Sequence, residues 1–193
     1  MAPYDYSDAP PPRDFEVIPA GEIVTVSLHL RHGGAGEDGV LKRSKDGKCE
    51  MLDIEFAILD GKYKGRKFWQ YMVVDGTEPG HAQAADITRG TLKAIIDAAK
   101  GLMPDDISVE ARAARTVSLK DFDGMCFMVK LGIEKGGPRN DGSGNHADKN
   151  VIGSVITKDK KEWKPVEQPP PFVGGGAAPT EPNTTPVERP KWA

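Results

Sequence analysis

The residues with most chemistry to offer crowd one short stretch, "KYKGRKFWQY", residues 62 to 71. Lys62, Lys64, Arg66 and Lys67 are interleaved there with Tyr63, Phe68, Trp69 and Tyr71. Gripping a single polynucleotide strand without regard to its sequence needs both groups. Cations neutralise phosphates, and ring faces give the bases a surface to stack on, at ~1–3 kcal/mol per base. A plainer reading is equally open at this point: Lys and Arg keep a turn soluble while Phe68 and Trp69 fill a core.

Two glycine-rich segments carry further cations. The first, "RHGGAGEDGVLKRSKDGK", holds Arg31, Lys42, Arg43, Lys45 and Lys48, and reads as a mobile loop able to touch phosphate. The second, "KGGPRNDGSGNHADK", holds Lys135, Arg139 and Lys149, with Asp141 and Asp148 diluting the charge. Loops of this length are usually functional or disordered. The candidate nucleic-acid contacts are therefore Lys42, Arg43, Lys45, Lys48, Lys62, Lys64, Arg66, Lys67, Trp69, Tyr71 and Arg139.

Enzymatic patterns are weaker, and no catalytic residue, metal ligand or cofactor is expected. Asp60-Gly-Lys62 with Asp53 upstream imitates the acid-x-Lys element of metal-dependent nucleases, where carboxylates hold the ion and Lys polarises water. A glycine-bounded turn explains it better. His29 and His32 point to opposite faces of a strand, and His81 and His146 stand alone, so none forms a ligand pair. "GGAGEDG" lacks the Lys-Ser/Thr ending of a phosphate-binding loop.

Strict alternation of apolar and polar residues marks the elements that would position these groups. Val24, Val26, Leu28 and Leu30 share one face of a first strand. Leu52, Ile54, Phe56 and Ile58 share one face of a second, and "RKFWQYMVV" follows as a third, completing a hairpin. A helix is expected over about 83–100, stopped by Gly101. After an irregular stretch at 103–123, where Ser118 and Asp121 have capping-box spacing, two more strands follow, "MCFMVKLGIE" and "NVIGSVIT". Three strands, one helix and two strands match a mainly β fold, a five-stranded OB-type Greek-key barrel with one main α-helix between strands 3 and 4. An open α+β sheet is the alternative.

The face carrying Trp69 turns on hairpin register. With four residues, 61–64, between paired Asp60 and Gly65, Phe56 opposes Trp69 and Ile54 opposes Tyr71, which buries Trp69 and Tyr71. A shift of one residue instead puts Phe68, Met72 and Val74 inside and Lys67, Trp69 and Tyr71 outside. The second arrangement is favoured because it keeps Lys67 out of the core, although Asp53 and Glu55 then share the outer face and would repel phosphates.

Together the segments "FEVIPAGEIVTVSL", "EMLDIEFAILDGKYKGRKFWQ", "TLKAIIDAAKG" and "FDGMCFMVKLGIEKG", with a following Asn150, resemble phage and prophage single-stranded-DNA-binding proteins of OB-like fold. The most specific element is Leu-Asp-Gly-x-Tyr-x-Gly-Arg-Lys at 59–67. The resemblance implies a replication or recombination accessory that binds single-stranded DNA and is no catalyst. Replication or recombination proteins would be met through the C-terminal tail, which here lacks the acidic tip of cellular single-strand binders. An OB-like protein-interaction or virion component that does not bind DNA is the alternative.

The 193 residues suit one domain at 14–164 between a flexible tail at 1–13 and a disordered Pro/Gly-rich tail at 165–193. A net charge of −3 and a pI near 5.8 supply no global positive field, so any polyanion site must be local. Two cysteines without metal spacing fit a reducing compartment. No run approaches the ~18 apolar residues that span a bilayer, so no membrane partner is expected and a cytoplasmic location is, in a prokaryotic or phage-infected cell.

Overall fold

The computed structural model describes residues 16–139 and 142–169. The expected N-terminal tail and all but five residues of the C-terminal one lie outside them. Six strands and two helices follow in chain order: β1 Ile23–Arg31, β2 Leu41–Arg43, β3 Cys49–Ile58, β4 Lys67–Gly76, α1 Pro79–Lys100, α2 Val109–Arg115, β5 Cys126–Glu134 and β6 Lys149–Val155. The protein is mainly β, built on an antiparallel sheet that remains open.

In that sheet β3 is central. One of its edges pairs with β4 along residues 49–57, and its other edge pairs first with β2 at 50–52 and then with β1 at 53–58. From β1 the sheet continues through β5 to β6. Bulges between β3 and β4 and between β5 and β6 add one residue to one strand of each pair, bending the sheet. The bend brings β4 and β6 close, but the hydrogen bond that joins them comes from a side chain: Ile152 N–H donates to Gln70 Oε1 at 3.0 Å. No backbone ladder joins the two strands among the described residues, so the expected closed barrel is not what is observed. Helix α1 packs on β4, β5 and β6 and covers the inner side of that seam.

The alternation places the core as anticipated. Val26, Leu28, Leu52, Ile54, Phe56, Phe127 and Val129 are fully buried, with Ile95 and Ile96 of α1 over them. Phe56 stacks on Phe68 with ring centroids 4.9 Å apart and meets Phe127 edge-on at 6.4 Å. Aromatic pairs in such geometry add ~0.5–1.5 kcal/mol beyond the area they bury.

Three departures from expectation have identifiable causes. Helix α1 begins at Pro79 rather than near 83, because Pro sits in its first turn and Glu78 and His81 form a reciprocal cap. Gly101 ends it as expected, in the left-handed region at φ 64°. The first glycine-rich segment is no simple mobile loop: Val40 and Leu41 are buried, β2 adds to the sheet, and Ala35 bridges Leu41. There the chain crosses itself so tightly at Gly33 that any Cβ would lie 2.5 Å from the Leu41 carbonyl.

The third departure is α2, inside the irregular stretch. It is fastened to α1 by Asp97, which is wholly buried and accepts from Arg115 Nε at 2.6 Å and Lys93 Nζ at 2.8 Å. Further along, past the boundary expected at 165, the described chain still touches the sheet. Gln168 accepts from Cys126 N–H at 2.9 Å and donates to the Cys126 carbonyl at 2.6 Å. No helix among the described residues is long and apolar enough to cross a membrane.

Candidate nucleic-acid interface

The hairpin turn decides the faces. Ile58 accepts from Gly65 N–H at 2.8 Å and donates to the Arg66 carbonyl at 2.9 Å, so two residues oppose one. Gly65, at φ 83°, supplies the left-handed position such a bulge requires. From there Phe56 pairs with Phe68, Glu55 with Trp69 and Asp53 with Tyr71. Phe68 and Met72 point inward at 4% exposure each, while Trp69 and Tyr71 stand outward at 47% and 51%. This is the second of the two registers weighed above.

The outer face repeats one motif across three strands. Trp69, Glu55 and His29 form one cross-strand row; Tyr71, Asp53 and Arg31 form the next. Each ring is held at its polar edge. Trp69 Nε1–H donates to Glu55 Oε2 at 3.1 Å, and the Tyr71 hydroxyl accepts from Lys42 Nζ at 3.0 Å. The rings are therefore positioned before a ligand arrives.

The two carboxylates that would repel phosphate are occupied. Glu55 is bridged by Lys67 at 2.6 Å, and this bond, more than any other cause, holds its carboxyl below the usual range. Asp53 is buried between Lys42 at 3.1 Å and Arg31 at 4.0 Å. Lys42 is raised above the ordinary lysine value, first by its bond to Tyr71 and then by Asp53. Three cations thus face two carboxylates, with the lysine heads about half exposed, Glu55 partly buried and Asp53 buried. Taking Lys42 away from Asp53 would leave that buried carboxylate to Arg31 alone, whereas the Lys67–Glu55 pair is the less costly of the two to open.

The other candidates divide. Lys62, Lys64 and Arg66 sit on the turn beside Lys67. Lys62 pairs with Glu22 at 3.1 Å and lies 4.7 Å from the Tyr63 ring, and Arg66 donates to the Glu16 carbonyl, so both also fasten neighbouring chain. Arg43 pairs with Glu50 at 2.6 Å and Lys48 with Glu78 at 2.6 Å, at the opposite end of β3 and β4, together with Lys45. That group is not brought to the aromatic face. Arg139 lines a recess of the β5–β6 loop with Lys135, His146 and Lys149. Arg31 and Lys149 were assigned only to loops by sequence; parity with His29 along β1 was the signal that puts Arg31 on the outer face.

The nuclease-like Asp60 has a structural task, accepting from the Thr25 hydroxyl at 2.6 Å and the Thr25 N–H at 3.2 Å. Ser27, His29 and Asp123 also gather, with Ser27 Oγ 2.9 Å from His29 Nε2. Asp123 stands 4.0 Å from His29 and already accepts from Leu30 N–H, so it does not orient the ring as a hydrolytic relay needs. Among the described residues no cluster of His, Cys, Asp or Glu is placed to hold a metal ion.

No family model matches the chain, and no curated protein matches it. Its function must be argued from this face.

Proposed function

We propose that the protein binds single-stranded DNA without strong sequence preference, through the outer face of β4, β3 and β1. The observation that carries this is the pair of half-exposed rings, Trp69 and Tyr71, on one face of one strand. Two residues along a strand are ~6.8 Å apart, twice the ~3.4 Å step per strand of stacked duplex DNA. Bases lying on both rings therefore belong to an extended, unstacked strand. Lys42, Lys67 and Arg31 flank them for phosphate contact.

Strand order supports an OB-type reading. The path β4–β3–β1–β5–β6, with α1 between β4 and β5, fits five Greek-key strands of the OB type left open at the β4–β6 seam. The sequence resemblance around 59–67 supports a role accessory to phage DNA replication or recombination. Titrating the full chain with oligothymidine at two salt concentrations tests the proposal. Affinity should fall steeply with salt, with a log-log slope of ~0.7 per phosphate contact. Absence of binding at low salt would overturn it in favour of the protein-interaction or virion component.

A further inference from the structure

Beside Trp69 the sheet does not close. The start of β4 and the start of β6 leave a recess of about 520 Å3, walled by Val17, Phe68 and Trp69 and rimmed by Arg66, Lys67 and Lys149. Sites that enclose a small organic molecule run ~300–1,000 Å3. The walls are fixed in advance. Asn150 accepts from Ile18 N–H at 2.9 Å and donates to the Ile18 carbonyl at 2.8 Å, pinning residues 16–18 to β6. Trp69 is held by Glu55, and Phe68 is held by its stack on Phe56.

The recess is also selective in its chemistry. The one carboxylate among its lining residues, Asp148, is paired with Lys135 at 2.6 Å and accepts from Gly136 N–H at 3.1 Å; Lys149 pairs with Glu134 at 3.0 Å, but both partners are about half exposed, so a phosphate can compete for that lysine. Apolar and aromatic walls below a cationic rim complement a flat ring that carries a phosphate. Lys149 also borders the second recess, of about 510 Å3, that contains Arg139 and His146. A track of cations thus leads off the sheet face.

We propose that the seam recess takes one nucleotide of the bound strand, its base between Val17 and Trp69 and its phosphate against Lys149. The strand then leaves the Trp69–Tyr71 platform across the β4–β6 seam toward Arg139. This inference rests on the single-strand reading of the outer face and adds a subsite that the ring pair alone does not require.

The test uses the full chain and a labelled oligothymidine carrying 5-iodo-deoxyuridine. Photo-crosslinks are mapped by mass spectrometry, and affinities of Val17→Phe and Lys149→Ala are read by anisotropy, with melting curves on the same samples. Val17→Phe fills the recess without replacing either platform residue; it should bind about tenfold more weakly, Lys149→Ala about threefold, and adducts should include residues of the recess as well as Trp69 or Tyr71. Should Val17→Phe melt early, Lys149→Ala on the exposed rim decides. Wild-type affinity in both variants, with adducts confined to Trp69 and Tyr71, overturns the subsite and leaves the platform standing. Failure of any oligothymidine to bind overturns both. Thymidine 5′-monophosphate that saturates the recess at micromolar concentration, without displacing the oligonucleotide, would make this a free nucleotide's site and overturn the strand-borne assignment.

Discussion

Phe68 and Trp69 are neighbours in sequence and opposites in space, so truncating each to alanine should separate folding from binding. Phe68 is 4% exposed and stacked on Phe56; its loss empties a core site and costs ~3–5 kcal/mol. Trp69 is 47% exposed. An aromatic side chain buries up to ~250 Å2, so Trp69 covers about half of that. At ~25 cal/mol per Å2, less what alanine retains, truncation costs about 2 kcal/mol as an upper value. For a domain of this size 1 kcal/mol moves the melting temperature by ~2–4 °C. Phe68→Ala should therefore melt about 6–20 °C lower and Trp69→Ala no more than about 8 °C lower. Binding should show the reverse ranking. Losing one stacked base costs Trp69→Ala ~1–3 kcal/mol, about 5- to 150-fold in affinity, read by anisotropy of a labelled oligothymidine so that Trp163 and Trp192 do not interfere. A Trp69→Ala protein that melts as early as Phe68→Ala and binds normally would refute the face assignment.

Charge, acid and packing give three further expectations. Replacing Arg31, Lys42 and Lys67 together by Ala should flatten the log-log salt slope of oligothymidine binding by about 2, at ~0.7 per contact; an unchanged slope would place the phosphate track elsewhere. Glu55 has a folded pKa held down chiefly by Lys67, so its contribution to stability is fully present above the unfolded glutamate value of ~4.3. It is lost as pH falls through the folded value, and Glu55→Gln should show a smaller drop in melting temperature than wild type between pH 5 and pH 3. Arg115→Ala removes the shorter of the two bonds to the buried Asp97 and should destabilise by ~3 kcal/mol in chemical denaturation; a change below 0.5 kcal/mol would mean that Lys93 alone neutralises the carboxylate.

What the sequence made legible was whatever repeats locally. Alternation in β1, β3 and β5 named the core faces, and Gly101 marked the end of α1, because both signals lie within a few residues of what they determine. The register of β3 against β4 was only half legible: keeping Lys67 out of the core favoured the outward arrangement, and the structure adds the cause at Gly65. A glycine in the left-handed region after a tight turn forces a bulge, and counting that extra residue turns Trp69 and Tyr71 outward. The hydrophobic pattern alone permits either face. β2 is three residues long, and its only trace is the apolar pair Val40–Leu41 in a polar loop. The docking of α2 depends on Arg115 meeting Asp97, 18 positions earlier, and no local pattern announces such a partner.

Acidic residues on a face proposed for a polyanion need a physical reason, and the cross-strand rows supply one. Without Glu55 the indole N–H of Trp69 would have no acceptor on the neighbouring strand, and Lys67 would be free to sample many rotamers. Asp53 plays the same part for Lys42, which in turn holds the Tyr71 hydroxyl. On the proposed reading the carboxylates do two opposing things: they would subtract charge from the phosphate track, and they would lower the conformational freedom that the rings and lysines must give up on binding. The second effect is independent of salt and the first is not. A face built in this way keeps its stacking contribution when ions screen its cations, and it does so within a protein whose overall charge is negative.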